Sequence, residues 1–298
     1  VRRPPEETAG FVAGDVGAIG CVQADARLDR VRAFVRIQDG CSFSCGFCVI
    51  PLVRGASRSR SAAAVLREVA KRVGQGHREV VLTGINLGCF RDRAAGMRLH
   101  DLLVAAADVD GIDRVRLSSI EVNHVSDALL GAMTHPGVAR HLHIPMQSGD
   151  DAVLEAMRRR YAAARFLSAV ARARELVPGI NLTTDVIVGH PAEDEAAFER
   201  TLEAVRMAGF TRVHVFPYSP RPGTADGASD PVPAVVKADR SRRLRELADR
   251  LGEAHRRALA GTRQRVLVET EAGRGYTDDY TPLVVRGGRP GTIVEVVA

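Results

Sequence analysis

Three of the five cysteines lie within eight residues, at Cys41, Cys45 and Cys48. Their spacing of three and then two intervening residues allows three thiolates on one tight loop to bind three irons of a cubane 4Fe-4S cluster, with Gly46 relieving backbone crowding. Electron carriers of the ferredoxin type and structural zinc sites supply four ligands, so three cysteines predict an open coordination position at the fourth iron. The alternative interpretation is a set of small buried side chains or half of a zinc site.

The composition indicates a globular chain. Its 298 residues, 45% of them hydrophobic, suffice for one sizeable core and a small second module. There is no run of eighteen apolar residues, and the start, Val1-Arg2-Arg3-Pro4-Pro5, lacks the apolar stretch of a signal peptide. An odd number of cysteines, three of them clustered, favours a reducing compartment over a disulfide framework. We therefore expect a cytoplasmic protein without a membrane segment.

The positive charge is local. The formal net charge is +6, and the segment from Lys237 to Arg265 holds ten Lys/Arg against four Asp/Glu, which equals the whole surplus. A local basic surplus favours a polyanionic partner, while the alternative is a solvated helix face. The aromatic fraction of 4%, without Trp, argues against an extensive base-stacking platform. The candidate phosphate-binding residues are Arg240, Arg242, Arg243, Arg245 and Arg250.

Strand and helix patterns alternate along residues 31–232. An alternating strand at 31–38 leads directly into the cysteine loop, and about six β/α repeats follow. Since each parallel crossover needs a helix, the pattern predicts an α/β fold, a partial and open parallel β/α barrel. Strands are expected at 79–82, 114–117, 141–144, 182–188 and 212–216, with helices near 61–74, 98–107, 126–134, 150–176 and 194–208.

Glycine-rich or polar stretches follow four successive strands. They are Leu82–Phe90, Ser118–Glu121, Pro145–Gly149 and Gly189–Glu193. Each alone is typical of turns and helix caps. Because ligands of parallel sheets bind beyond the carboxyl ends of the strands, together they predict a ligand pocket facing the cysteine loop.

Other segments flank this barrel. Residues 1–30, with Pro4-Pro5 and several glycines, are interpreted as a linker or the remnant of an upstream domain, and the initial Val suggests that the natural protein extends further. Residues 233–260 are expected to form a basic helical connector that leaves the barrel. Residues 261–298, with short alternating runs at 264–269, 282–286 and 292–297, predict a separate small β-barrel.

His141 and His143 alternate on one predicted strand. Such a pair could bind a metal ion, but no third ligand lies nearby in the sequence. Ordinary packed histidines are therefore the favoured interpretation.

Several motifs resemble known families. The cysteine spacing, with Phe47 just before the last cysteine, resembles the signature of radical S-adenosylmethionine (SAM) enzymes. Four further stretches are similar to motifs of the methylthiotransferases within that superfamily: Ile37–Cys41 with Val49–Pro51, His143–Gly149, Asp185–Gly189, and Phe216–Ser219 followed by Arg221–Thr224. The C-terminal segment resembles the RNA-binding TRAM domain through Val268-Glu269 and Gly275–Tyr280. The resemblance covers residues 31–298.

The resemblance implies the cofactors and their ligands. Cys41, Cys45 and Cys48 would hold one 4Fe-4S cluster, whose open iron chelates SAM and whose electron yields a 5′-deoxyadenosyl radical. The residues it implies around SAM are Phe47, Thr83, Gly84, Ser119, Glu121, Gln147, Ser148, Val188 and Gly189.

The resemblance also implies a substrate. Leu82–Gly88 and Leu117–Glu121 look most like the branch that adds a methylthio group to C2 of N6-threonylcarbamoyladenosine in the tRNA anticodon arm. That reaction also needs a reducing electron donor. Alternatives are the branches that modify isopentenyladenosine in tRNA or an aspartate of a ribosomal protein, and other radical SAM chemistry. An alternative of another class is a non-catalytic iron-sulfur or RNA-binding module.

Family members resemble one another in an upstream domain whose three cysteines hold a second 4Fe-4S cluster, thought to deliver sulfur. Only Cys21 precedes the cysteine loop here, and Cys89 stands alone, so both are interpreted as small buried or incidental residues. We therefore expect this chain by itself to bind one cluster and cleave SAM without inserting sulfur. The alternative is a fragment of a longer protein that performs the whole reaction.

Overall fold

The computed structural model describes residues 31–298, so the predictions for residues 1–30, including Cys21, lie outside the described residues. The strands are β1 (Arg32–Arg36), β2 (Gln38–Asp39), β3 (Arg58–Ser59), β4 (Glu79–Thr83), β5 (Arg91–Asp92), β6 (Met97–Arg98), β7 (Arg114–Leu117), β8 (His141–His143), β9 (Asn181–Val188), β10 (Arg212–Pro217), β11 (Arg263–Val268), β12 (Arg274–Thr277), β13 (Pro282–Val284) and β14 (Ile293–Val297). The helices are α1 (Ile50–Arg54), α2 (Ala62–Gly74), α3 (Leu99–Ala107), α4 (Asp127–Ala132), α5 (Asp151–Ala156), α6 (Ala163–Leu176), α7 (Glu195–Ala208) and α8 (Ala234–Leu259).

Six parallel strands carry the larger part of the chain. They form two three-stranded sheets, ordered β1-β4-β7 and β8-β9-β10. The sheets approach each other where the Ile120 N–H donates to the His143 carbonyl at 2.9 Å, and where Val115 bridges Val138 in parallel. Every successive pair of strands is connected through at least one helix, as parallel pairing requires. The predicted α/β class with parallel strands in chain order is confirmed.

The core lies between the strands and the helices that connect them. In α2, Val65 and Val69 are buried one helical turn apart, which places both on the face toward the sheet. Phe166, Phe198 and Phe210 are fully buried, and the rings of Phe166 and Phe210 meet edge to face at 6.0 Å. This packing positions the carboxyl ends of the strands, where the cysteine loop begins.

The helices predicted near 150–176 are two, α5 and α6, separated by a short non-helical segment. α5 ends before Arg158, which adopts φ of +56°, a left-handed conformation that no helix continues through. α6 begins at Ala163, whose N–H donates to the Asp151 carboxylate at 2.7 Å. The sequence analysis also missed β12 and the two short ribbons formed by β2 with β3 and by β5 with β6.

Helix α8 corrects the expectation of a connector that leaves the barrel. It packs along the edge strand β10, and Leu244, Leu247 and Ala248 belong to the main core. At Gly252 the helix approaches so closely that a Cβ would lie 2.7 Å from the Thr211 carbonyl oxygen. The basic helix therefore forms part of the fold, and only its outer face is free to meet a partner.

The C-terminal module is a four-stranded antiparallel sheet, ordered β13-β12-β11-β14. It packs against the amino ends of the parallel strands, opposite the cysteine loop. Arg114 at the start of β7 donates to the Thr277 carbonyl at 3.3 Å, and Asn181 at the start of β9 donates to the Asp279 carbonyl at 2.7 Å. Closure into a barrel, for this module and for the parallel strands, stays a prediction. Within residues 31–298, no helix is both long and apolar enough to cross a membrane.

A buried charge network joins the two parts. Glu79 is fully buried and contacts Arg114 and Arg116 at 2.9 Å each, and Arg114 also pairs with Asp278 of the C-terminal module. Burial opposes ionisation of Glu79, but the two guanidinium groups outweigh it and lower the pKa of this carboxyl. The carboxylate is therefore held ionised between the sheet and the module.

Replacing Glu79 with Gln should lower the free energy of unfolding at pH 7 by about 3–5 kcal/mol, because two buried guanidinium groups lose their charged partner. Chemical denaturation measures this change. The control Asp127→Asn, which breaks a solvent-exposed ion pair with Arg172, should leave the free energy of unfolding nearly unchanged. Since the folded pKa of Glu79 is lowered, its contribution is present above the unfolded value and lost as pH falls through the folded one. The difference between wild type and variant should shrink accordingly in acid; a constant difference would contradict this assignment.

Candidate metal centre and ligand pocket

The cysteine loop is fixed by backbone hydrogen bonds to distant segments. It begins after β2, where the Cys41 N–H donates to the Gly55 carbonyl at 3.0 Å. At its centre the Gly46 N–H donates to the Met157 carbonyl at 2.9 Å, and the Gly46 carbonyl accepts from the Asp226 N–H at 2.8 Å. The three thiols of the loop are free and half-buried. The loop is thus held at the carboxyl edge of the sheet with its sulfurs partly open.

Gly46 allows the Asp226 side chain to approach the backbone of the cysteine loop closely, in addition to any role in the turn. A Cβ at this position would lie 2.3 Å from a carboxylate oxygen of Asp226. Asp226 is oriented by His190, whose Nε2 contacts the carboxylate at 3.2 Å while its Nδ1 accepts from the Ala192 N–H. Since Nδ1 accepts a hydrogen bond, Nε2 carries the ring proton and donates a hydrogen bond to the Asp226 carboxylate. Sequence reasoning missed Asp226 because it lies 180 residues beyond the loop.

The buried side chain of Gln38 connects the cysteine loop with the loop after β4. Its Nε2 donates to the Gly40 carbonyl at 2.7 Å and to the Ser57 hydroxyl at 2.9 Å. Its Oε1 accepts from the backbone N–H groups of Ile85 at 3.0 Å and Asn86 at 2.8 Å. One amide therefore satisfies backbone groups of two strand ends, and it fixes where the first cysteine leaves the sheet.

Two polar side chains donate toward the thiols. The Asn86 amide nitrogen lies 3.7 Å from Cys41 Sγ, and a guanidinium nitrogen of Arg159 lies 3.4 Å from Cys45 Sγ. Burial raises the pKa of Cys48; a backbone hydrogen bond at Ile50 opposes this rise and the neighbouring Cys45 and Cys41 add to it. Three sulfurs that repel one another as thiolates, with N–H donors beside them, suit a cationic iron-sulfur centre.

Arg159 is held by the residues around it. Glu121 pairs with its guanidinium at 2.5 Å, and the Tyr161 hydroxyl lies 3.4 Å away. Glu121, a predicted SAM contact, therefore positions the arginine that faces Cys45. Sequence reasoning missed Arg159, which stands in the segment between α5 and α6, because no local pattern marks a side chain that meets Cys45 across the fold.

A cavity of about 270 Å³ opens between the cysteine loop and the ends of β9 and β10. It brings together two predicted SAM contacts, Phe47 and Gln147, and Gln147 adopts φ of +66° as it pairs with Val186. Strained non-glycine residues of this kind are common at ligand sites. The other lining residues are Asp185, Ile187, Phe216, Pro217, Tyr218, Ser219 and Arg221.

Four further predicted contacts are engaged with the protein itself. A Cβ at Gly84 would meet Gln38 Oε1 at 2.9 Å, and one at Gly189 would meet the Lys237 side chain at 2.4 Å. Val188 is buried in the core, and the buried Ser148 hydroxyl lies 3.2 Å from that of Thr201. These four residues therefore contribute to the packing of the strand ends. Thr83 and Ser119 are half-buried at the ends of β4 and β7, and a role in binding SAM stays a prediction.

Two buried polar atoms near this edge lack a partner within residues 31–298. They are the side-chain oxygen of Asn86, beside Cys41, and the hydroxyl of Ser118, at the end of β7. Buried polar atoms rarely stay unsatisfied, so they indicate room for a polar ligand or water. The residues present therefore fit a 4Fe-4S cluster with a polar cofactor beside it.

The predicted phosphate-binding arginines differ in exposure. Arg240 is buried and bonded to Glu193 at 2.7 Å, so it does not face a partner. Arg242 and Arg243 are engaged with nearby carboxylates, those of Asp239 and Glu246 and those of Glu195 and Glu199 respectively. Arg245 and Arg250 are exposed and form no ion pair with any residue that the structure describes.

Comparison with known families agrees with this geometry. The model of the radical SAM superfamily matches residues 35–205, which include all three clustered cysteines, the end of β1 and the whole of the parallel strands β4, β7, β8 and β9. The chain belongs to the radical SAM superfamily. The cofactors of radical SAM proteins are a 4Fe-4S cluster and SAM; the assignment of Cys41, Cys45 and Cys48 as the cluster ligands stays a prediction.

Similar proteins of known name are tRNA methylthiotransferases. The threonylcarbamoyladenosine tRNA methylthiotransferase MtaB of Thermotoga maritima is 39% identical over 87% of this chain and 60% of its own length. The tRNA-2-methylthio-N(6)-dimethylallyladenosine synthase of Alkalilimnicola ehrlichii is 42% identical over 85% of this chain and 57% of its own length. The chain thus spans less than two thirds of these relatives.

Solved radical SAM structures share the fold. Coproporphyrinogen III oxidase (HemN) from Escherichia coli superposes with a TM-score of 0.56 and 19% identity, covering 76% of this chain and 54% of the other. The methyltransferase TsrM from Kitasatospora setae also gives 0.56 at 19% identity, covering 67% of this chain and 38% of the other. At these identities the likeness supports the fold alone.

Replacing Cys45 with Ala should abolish retention of the cluster, because two thiolates do not hold a cubane on this loop. Anaerobic reconstitution should give about four iron and four sulfide per chain for the wild type and near none for the variant. Cys89→Ala is the matched control: Cys89 is also half-buried, contacts His124 at 3.5 Å and lies outside the loop. Full iron and sulfide in Cys45→Ala would refute the ligand assignment, and about eight of each in the wild type would reveal a second cluster.

Proposed function

We propose that this chain is the radical SAM part of a transferase, a tRNA methylthiotransferase that adds a methylthio group to C2 of N6-threonylcarbamoyladenosine beside the anticodon. The observation that carries the proposal is a three-thiol loop, with no fourth cysteine ligand in it, facing a cavity at the carboxyl edge of a parallel sheet. The names of the similar proteins support the reaction class. The finer fold assignments, an open β/α barrel and a TRAM-like C-terminal barrel, belong to the same proposal.

Each residue of the site has a task in this proposal. The bound cofactors supply reductive cleavage of SAM and the radical chemistry that follows. Cys41, Cys45 and Cys48 hold the cluster, while Asn86 and Arg159 donate toward two of the sulfurs and stabilise their negative charge. The aromatic rings at 47 and 216 wall the cavity and limit water there, and Gln147 offers an amide to a ligand.

Two branches of the family compete as the substrate class. A synthase that acts on dimethylallyladenosine is as similar to this chain as MtaB is, so identity does not separate them. The stretches Leu82–Gly88 and Leu117–Glu121, at the carboxyl ends of β4 and β7, favour the threonylcarbamoyl branch by resemblance. Mass spectrometry of tRNA nucleosides from a strain lacking the gene tests this: loss of methylthio-threonylcarbamoyladenosine is expected, and loss of the dimethylallyl form instead would favour the second branch.

The enzymatic part is tested separately. The reconstituted chain, given SAM and a reductant in place of its cellular electron donor, should release 5′-deoxyadenosine. Iron binding without any 5′-deoxyadenosine would contradict the enzyme proposal and favour a non-catalytic module. Sulfur insertion needs the full-length protein if a second cluster delivers the sulfur, so methylthiolation of tRNA should be compared between this chain and that protein.

The outer face of α8 is the proposed contact with the tRNA anticodon arm. Arg245 and Arg250 are exposed and unpaired with carboxylates of the described chain, so their charge is available to phosphates. Arg245 also lines a second cavity, of about 610 Å³, between α8, β10 and the C-terminal module. Arg240 is left out of this surface because it is buried against Glu193.

Reversing the charge of both residues, Arg245→Glu with Arg250→Glu, should weaken tRNA binding. If each neutralises one phosphate, the slope of log affinity against log salt should fall by about 1.4–1.8. The control reverses Arg172 and Arg206, which are exposed on α6 and α7 but already paired with acidic residues. Unchanged affinity in the α8 variant, or an equal loss in the control, would exclude this surface as the tRNA contact.

A further inference from the structure

Three potential metal ligands lie close together on one face of the parallel sheet β8-β9-β10. They are His143, Asp185 and His214, one from each strand, and each offers a ligand atom within 4.8 Å of the other two. In the register of the sheet His214 stands beside Asp185, while His143 stands beside Thr183, two residues earlier on β9. The side chains at 183 and 185 share one face of the strand, so all three ligands project from the same side.

The geometry is close to that of a bound cation. His143 Nε2 lies 3.1 Å from a carboxylate oxygen of Asp185. Ligand atoms held tetrahedrally at about 2.0–2.1 Å from a zinc ion lie roughly 3.3 Å apart. The His143 and His214 rings meet edge to face with centroids 5.7 Å apart.

A second shell orients the first ligand. The Thr183 hydroxyl lies 2.9 Å from His143 Nδ1, so the ring is fixed with Nε2 toward Asp185. The same hydroxyl lies 2.9 Å from Nε2 of the buried His141. Such a partner on the far nitrogen is what ligating histidines usually have.

Access to the three side chains also suits a metal ion. The ligands are not sealed: Asp185 lines the 270 Å³ cavity at the cysteine loop, and His214 lines the 610 Å³ cavity beside the C-terminal module. An ion bound here would keep a coordination position open to at least one cavity.

We propose that His143, Asp185 and His214 bind one divalent transition-metal cation of the zinc class, in a site separate from the three cysteines. Two imidazoles and one carboxylate form the donor set of open, three-ligand metal sites. The proposal stands independently of the methylthiotransferase assignment, since it rests on these three side chains. It also changes the interpretation of His143 from a packed histidine to a ligand, because the fold supplies the third ligand that the local sequence lacks.

The test uses the chain after anaerobic reconstitution, so that the cysteines are occupied by the cluster, followed by removal of loose metal with a chelating resin. Equilibrium dialysis against Zn²⁺ should then give one zinc per chain by mass spectrometry. Asp185→Asn and His214→Ala should each weaken zinc binding by at least about tenfold, since loss of an outer-shell partner alone costs about 10–100-fold. Each variant should keep its iron, its sulfide and its far-ultraviolet circular dichroism.

His135→Ala is the matched control, because His135 forms a similar 3.1 Å contact with an aspartate, Asp108, but belongs to no group of three potential ligands among residues 31–298. It should leave the zinc content unchanged. With Co²⁺ in place of Zn²⁺, visible bands without a thiolate charge-transfer band would place the ion on nitrogen and oxygen ligands. Absence of zinc in the wild type, zinc retained by both ligand variants, or a thiolate band would each overturn the proposal.

Discussion

The site depends on a single buried amide. Gln38 lies shortly before the cysteine loop. Its side chain donates to the Gly40 carbonyl and the Ser57 hydroxyl and accepts from two backbone N–H groups of the turn after β4. A buried amide without its partners would cost several kcal/mol, so this arrangement permits only one relative placement of the two strand ends. Asn86 is thereby held beside Cys41, so the surroundings of this thiol depend on how the two strand ends are placed.

The two edges of the parallel strands are used differently. The carboxyl edge carries the thiols, the strained Gln147 and polar atoms that lack a protein partner, all of which are costly to maintain unless a ligand uses them. The amino edge carries the buried ion pairs of Glu79 with Arg114 and Arg116, and Arg114 also pairs with Asp278 of the C-terminal module. Residues that maintain the fold and residues available for chemistry are therefore separated by the length of the strands.

The arginines of helix α8 are likewise divided between those that maintain the fold and those that are available to a partner. Much of the basic helix α8 is neutralised by the protein: Arg240 by Glu193, and Arg243 by acidic residues of α7. The formal surplus of this segment therefore overstates the positive surface offered to a partner, and only arginines on its outer face remain. On the sheet β8-β9-β10, the cluster of His143, Asp185 and His214 borders both cavities, since Asp185 lines the one at the cysteine loop and His214 lines the one beside the C-terminal module.

The sequence by itself determined the features that depend on local pattern. Cysteine spacing predicted the cluster ligands, and alternation with helical periodicity predicted the parallel strands, including the bounds of β7, because both signals arise from neighbours along the chain. Only the tertiary structure decided which residues distant in the sequence come into contact. Asp226 packs against Gly46, Arg159 faces Cys45, helix α8 packs against β10, and Asp185 and His214 lie beside His143. Helix and strand periodicities specify which face of an element is buried, but not which distant side chain meets it there. That choice depends on the packing of the whole chain, which is why Arg240 was predicted at the surface and lies buried.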